Sequence, residues 1–268
     1  LDTIEGTETG QTLSASYQVY LTPELAQALE ISAKEAEGLK DEFVSTEHLF
    51  LATIEVPSPA RELLIKFKIN KRFPILTGRK IFEKTFNTEF NWFINGETNI
   101  LRFKENNVKI WDNWANENGE LGPVYGYQML NFNGQNINQL NNVIESIINN
   151  PDSRRHIISL WNPIQLKEMA LPPCYLYFQF FVENNKLNLY VLQRSGDMFL
   201  GIPYDCALFS MILLYVAKKS GLKANKVEFN IVDAHIYKNQ LNAVIEYLNQ
   251  PIFELPKYNF NGNKIELI

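Results

Sequence analysis

An α+β domain preceded by a small all-α segment is the fold the sequence predicts, and three observations carry it. Residues 1–70 hold 12 acidic and 5 basic residues, a net of −7, whereas residues 71–268 hold 18 and 20, a net of +2. Asparagine changes with charge: Asn70 is alone in the first stretch and 29 more follow it, and tryptophan begins only at Trp92. Apolar periodicity changes too. It is helical before residue 70, and afterwards helical runs alternate with strand-like ones. Two domains follow from this, 1–70 and 71–268.

In the first stretch, "LTPELAQALEISAKEAEGL" spaces Leu25, Leu29, Ala33, Ala36 and Leu39 for a helix, with Thr22 as N-cap and Pro23 in the first turn. "STEHLFLATI" and "SPARELLIKF" read as two shorter helices, the second started by Ser58 and Pro59. His48 is read as a structural residue. "GTETGQTLS" looks like a phosphate loop but has no Lys or Arg and no strand before it, so it reads as a linker.

The second stretch carries helical runs at "EKTFNTEFNWFI" and "INQLNNVIESIINN". Strand-like runs follow at "RHIISLW", "YLYFQFFVE", "KLNLYVLQ" and "VEFNIVDAHIY", with a strongly apolar helix at "CALFSMILLYVAKKSGL". Strands with long buried helices on one side make an α+β domain.

Composition narrows the function. A net charge of −5 gives no reason to expect nucleic-acid binding, and neither a bilayer-spanning apolar run nor a signal segment is read. Cys174 and Cys206 lie 32 positions apart without a CxxC, too few for a disulfide framework or a zinc site, which favours a reducing, cytoplasmic setting and no metal. Cys206 sits on an apolar helix and reads as core. Cys174 follows Pro-Pro and opens a strand, with Arg194, Arg154 and Arg155 elsewhere in the chain. A cation beside a thiol lowers its pKa, which makes Cys174 the nucleophile candidate. The three arginines with Ser195 would also form an anion clamp.

Residues 15–69 resemble the second half of the amino-terminal repeat domain of Clp-type ATPases, through "VYLTPELAQALE", "DEFVSTEHLFLA" and "SPARELLIKFKI". The rest resembles thymidylate synthase over residues 71–256. "FPILTGRK", "EFNWFINGETNI", "IWDNWANENGELGPVYG", "PDSRRHIISLWNP", "MALPPC", "QRSGDMFLGIPYD" and "DAHIY" occur in the family's order and spacing. The resemblance implies a mixed sheet with long buried helices, and transfer of a one-carbon unit from 5,10-methylenetetrahydrofolate to carbon 5 of a pyrimidine deoxynucleotide. It implies Cys174 as nucleophile, Glu89 as acid–base residue and Tyr125 as aid to proton removal. Gln193, Arg194 and Ser195 would hold the nucleotide together with Arg154 and Arg155 of the second subunit of a homodimer, and His235 and Tyr237 its sugar. Arg79, Trp111, Trp114, Asp197 and Gly201 would meet the folate.

Two positions depart from the family pattern. Asp205 stands where thymidylate synthases carry Asn, and Tyr175 where a His follows the nucleophile. A carboxylate facing O4 of uracil opposes acceptor to acceptor, whereas the 4-amino group of cytosine donates to it. The resemblance therefore narrows toward deoxycytidylate hydroxymethylases, with methylation of deoxyuridylate as the alternative. Asp205 also stands at the start of the apolar helix read from the sequence and would serve as its N-cap; Asn caps equally well, so capping does not explain the choice. The Clp-like stretch replaces the family's arginine-bearing opening, and the chain ends at "NKIELI" before the family's closing tail. Weak activity is the expectation. A reading of another class is a Clp-like peptide-binding module joined to an inert synthase remnant.

Overall fold

The computed structural model describes residues 23–39, 69, 72–251 and 253–268. The chain divides into two compact units, Leu1–Ile65 and Lys66–Ile268.

In the first unit, helix α1 spans Pro23–Leu39, with proline in its first turn, where a missing N–H costs nothing. Ala28 and Ser32 are buried and Ile31 packs on Ala28. Ala33, expected on the apolar stripe, is exposed. It follows Ala28 by five residues and so points about 140° away around the helix. Thr22, His48, "STEHLFLATI", "SPARELLIKF" and "GTETGQTLS" lie outside the described residues.

The second unit is built on a four-stranded mixed sheet in chain order: β1 (Ile157–Ser159), β2 (Tyr175–Glu183), β3 (Lys186–Asp197) and β4 (Lys223–His235). The first two pairings are antiparallel; β3 and β4 run parallel. Helix α6 (Gly201–Ser220) makes the β3–β4 crossover that parallel strands require. Helices α2 (Glu83–Ile94) and α5 (Gln139–Asn149) and the short α3 (Leu101–Glu105) and α4 (Gly126–Leu130) precede the sheet. Helix α7 (Leu241–Leu248) and a hairpin of β5 (Tyr258–Phe260) and β6 (Ile265–Leu267) follow it.

Helix α6 is long and apolar enough to cross a bilayer, contrary to the sequence expectation, yet most of it is buried in the core. Phe209, at its centre, meets Tyr175 and Phe178 of β2 and Phe229 of β4 edge-on, with centroids 4.7, 5.4 and 5.6 Å away. Aromatic edges against faces add to area burial here, so one side chain fixes the helix against two strands.

The helix begins four residues before Asp205. Asp197 holds the turn before it, its Oδ1 accepting from Phe199 N at 3.0 Å and Leu200 N at 2.9 Å, and among the described residues no side chain caps the helix itself. The expectation that Asp205 caps this helix is corrected. Asp205 lies inside it, and its carboxylate needs another account.

Candidate active site

The end of β2 nearest its start is irregular. Tyr175 pairs with Gln193 but Tyr177 pairs with Leu192, which leaves an extra residue in β2. A bulge of this kind re-aims the side chains beside it. Tyr175 and Gln193 become cross-strand neighbours, and both reach Asp205. The Tyr175 hydroxyl donates to Asp205 Oδ1 at 2.5 Å, and Gln193 Nε2 donates to Oδ2 at 2.9 Å.

Asp205 is buried, which disfavours its charge, while the two donors favour it. Burial wins, and its pKa is pushed up to about 6. Glu89, on the second turn of α2, is pushed up to about 8, first by burial and then by the nearby Asp205 carboxylate. Protein surrounds Glu89, yet part of its surface stays open. The Trp111 indole opposes the rise only weakly, and among the described residues Trp111 Nε1 has no acceptor in hydrogen-bonding geometry.

Cys174 stands one residue before β2. Its backbone N–H donates to the Tyr125 hydroxyl at 3.3 Å. Arg194 lies alongside, its guanidinium donating to Pro173 O at 3.0 Å and Pro172 O at 2.9 Å. The expected lowering of the thiol pKa is corrected. Arg194 and Tyr125 pull it down, but burial outweighs both, and Asp205 adds to the rise. The resting thiol is therefore protonated.

Tyr125 is held in an uncommon backbone conformation, φ 35° and ψ −98°. A Cβ at the next residue, Gly126, would come within 2.1 Å of Phe93 O, so glycine alone fits between α4 and α2. The Tyr125 ring packs on Trp111 and Tyr175, at 5.6 and 5.4 Å. Its phenol pKa is driven well up by burial and by Cys174.

The remaining candidates divide. Arg79 stacks on the Phe199 ring, 4.6 Å from its centroid, and donates to Phe199 O at 2.5 Å. Asp197 uses its second oxygen to accept from the buried Gln240 Nε2 at 2.7 Å. His235 pairs across the sheet with Asp197, and its ring meets that of Tyr237 at 5.0 Å. Ser195 lends its carbonyl to Gln193 at 3.0 Å. Trp111 is core, packed on Trp92, whereas Trp114 is exposed. Among the described residues a side chain at Gly201 would meet only Asp197 Cβ, at 3.6 Å, so no contact there requires glycine.

Arg154 and Arg155 are exposed before β1, and among the described residues neither guanidinium forms an ion pair. The structure thus brings together Cys174, Tyr125, Gln193, Arg194, Glu89 and Asp205, and leaves Arg154 and Arg155 facing solvent. Gln240 and Phe199 were not foreseen. "YKNQ" holds a signal for Gln240, whose side chain takes the Tyr237 N–H as in a capping box. Phe199 has no such signal.

Two family models match the chain. The one described as thymidylate synthase covers residues 57–268, and the one described as Clp repeat (R) N-terminal domain covers residues 2–67.

Proposed function

The chain belongs to the thymidylate synthase family, and on that premise we propose that its pyrimidine substrate is deoxycytidylate. The family reaction is folate-dependent methyl transfer to carbon 5 of a pyrimidine nucleotide, with methylenetetrahydrofolate as co-substrate. One observation supports cytosine: a buried carboxylate, Asp205, held by two donors beside the nucleophile candidate. At neutral pH a pKa of about 6 leaves it ionised, an acceptor suited to the 4-amino group. After taking a proton it serves N3. The product is a hydroxymethylated or methylated cytosine.

In this reading the Cys174 thiolate adds to carbon 6, and the displaced electron pair makes carbon 5 nucleophilic. Carbon 5 then bonds the one-carbon unit that the folate supplies. Loss of the carbon 5 proton then expels the folate nitrogen and leaves an exocyclic methylene. Water adds to it to give hydroxymethyl, or the tetrahydrofolate gives it a hydride and leaves as dihydrofolate to give methyl, and departure of the thiolate restores the ring. Glu89, protonated at neutral pH, exchanges protons with the base side, and Tyr125 assists removal from carbon 5. Addition at carbon 6 makes N3 and O4 or N4 more basic, so acid groups on that edge favour the same step. Arg194 and Ser195, with Arg154 and Arg155 of a second subunit, hold the phosphate; His235 and Tyr237 hold the sugar. Arg79, Trp111, Trp114, Asp197 and Gly201 form the folate side.

A second reading, methylation of deoxyuridylate, draws on the burial that pushes the Asp205 pKa upward, because a protonated Asp205 would donate to O4. Tritium release from nucleotides labelled at carbon 5 separates the two. We expect deoxycytidylate to release at least ten times faster than deoxyuridylate at pH 7.5, and Asp205→Asn to reverse the order, since an unmet buried acceptor pair costs about 1–3 kcal/mol. Faster release from deoxyuridylate by the wild type would end the cytosine assignment.

A further inference from the structure

We propose that Tyr175 is a positioning residue: its hydroxyl, with the Gln193 amide opposite, clamps Asp205 in one orientation, so that base selectivity belongs to the Tyr175–Asp205 pair. The inference rests on the base-reading role of Asp205 proposed above.

The geometry allows Tyr175 little else. Its ring is buried, locked edge-on against Phe209 at 4.7 Å and tilted against Tyr125 at 5.4 Å, so the hydroxyl cannot swing away from Oδ1. Gln193 is equally fixed. Its Nε2 donates both to Asp205 Oδ2 and to Ser195 O at 3.0 Å, and a flipped amide would set Oε1 against two acceptors. The unflipped amide leaves Gln193 Oε1 buried without a partner. Both carboxylate oxygens therefore receive a donor from the protein, and each keeps a lone pair for one donor more.

Asn at 205 does not fit this frame. With its carbonyl toward Gln193, its amide faces Tyr175, and the hydroxyl proton loses its acceptor. Turned the other way, N–H meets N–H. The two departures from the family pattern, Asp205 and Tyr175, are thus one local exchange: a carboxylate and the hydroxyl that makes it tolerable in a buried site.

The ionisable groups that face Asp205 are Tyr175, Asp197, Cys206, Glu89, Cys174 and Tyr125. Only Tyr175 donates to it. Tyr175→Phe keeps the ring and removes the donor. In the free full-length protein, with aspartate labelled at the carboxyl carbon, the Asp205 titration should move upward by about one pH unit, since a donor lost from the charged form disfavours that form. The deoxycytidylate preference over deoxyuridylate should fall about tenfold. A folded Tyr175→Phe protein with an unmoved carboxyl titration overturns the clamp. An unchanged base preference in Asp205→Asn instead removes the base-reading role, so the two failures are distinct. If Tyr175→Phe does not fold, the wild type decides. The Tyr175 hydroxyl proton should be slowly exchanging and should shift as Asp205 titrates; a fast-exchanging, pH-independent hydroxyl overturns the proposal.

Discussion

At pH 7, Glu89 with a value of about 8 carries its proton while Asp205, at about 6, does not. Two carboxyl groups in one pocket are pushed apart by their surroundings, one by burial and the other's charge, the other eased by two donors. That division sets up an acid and an acceptor side by side. It also costs stability. Glu89 binds its proton more tightly folded than unfolded, so between about pH 4.5 and 8 the native state holds more protons, and stability falls as pH rises through that window. Glu89→Gln removes the slope. In urea titrations the variant should match the wild type near pH 4 and exceed it by at least about 1 kcal/mol at pH 8. A constant difference across that range would mean Glu89 is not held protonated by the fold.

At the scale of elements, the candidate site depends on joins distant in sequence. Asn87, two residues before Glu89 on α2, acts as a strand partner for β6: its Nδ2 donates to Ile265 O at 2.9 Å and its Oδ1 accepts from Ile265 N at 2.8 Å. Asn87→Leu leaves two buried backbone groups unmet and should cost about 2–4 kcal/mol. Amide exchange at Ile265 should rise sharply, and exchange no faster than in the wild type would show that the hairpin holds by itself. The long elements were legible because their periodicity is local: α1, α2, α5, α6 and all four strands of the main sheet. The β5–β6 hairpin and the short α3 and α4 were not, since each is held by partners such as Asn87 and Phe93 far along the chain. Helix α7 was missed although Leu241, Ile245 and Leu248 repeat at helical spacing. The start of α6 was misread because the turn that leads into it is held by Asp197, which belongs to β3. In the site, Cys174 and Asp205 stand out in sequence by type and neighbours. Nothing local reveals that burial outweighs Arg194 at the thiol, or that Tyr175 turns toward Asp205.

For the whole molecule, the proposed homodimer has surface available. On the sheet face turned away from α6, Ile157 and Val232 remain exposed, and the exposed Arg154 and Arg155 lie beside β1. If those arginines complete a partner's site, Cys174→Ser and Arg155→Ala proteins, each inactive alone, should recover about a quarter of wild-type turnover when mixed and allowed to exchange subunits, because half the dimers would hold one intact site. No recovery despite exchange would place Arg155 in its own subunit's chemistry, and an Arg155→Ala protein that is active alone would place it outside. The Asn87–Ile265 join has a further consequence, for biosynthesis. Its partners lie 178 residues apart, and Ile69 N and Arg72 are likewise tied to Asn225 O and Leu255 O. A ribosome making this chain has finished the Glu89 helix long before the strand that steadies it exists. The part of its apolar side that packs on the hairpin, Phe90 against Phe260, must therefore wait, open to chaperones or to misassociation, until the hairpin has emerged.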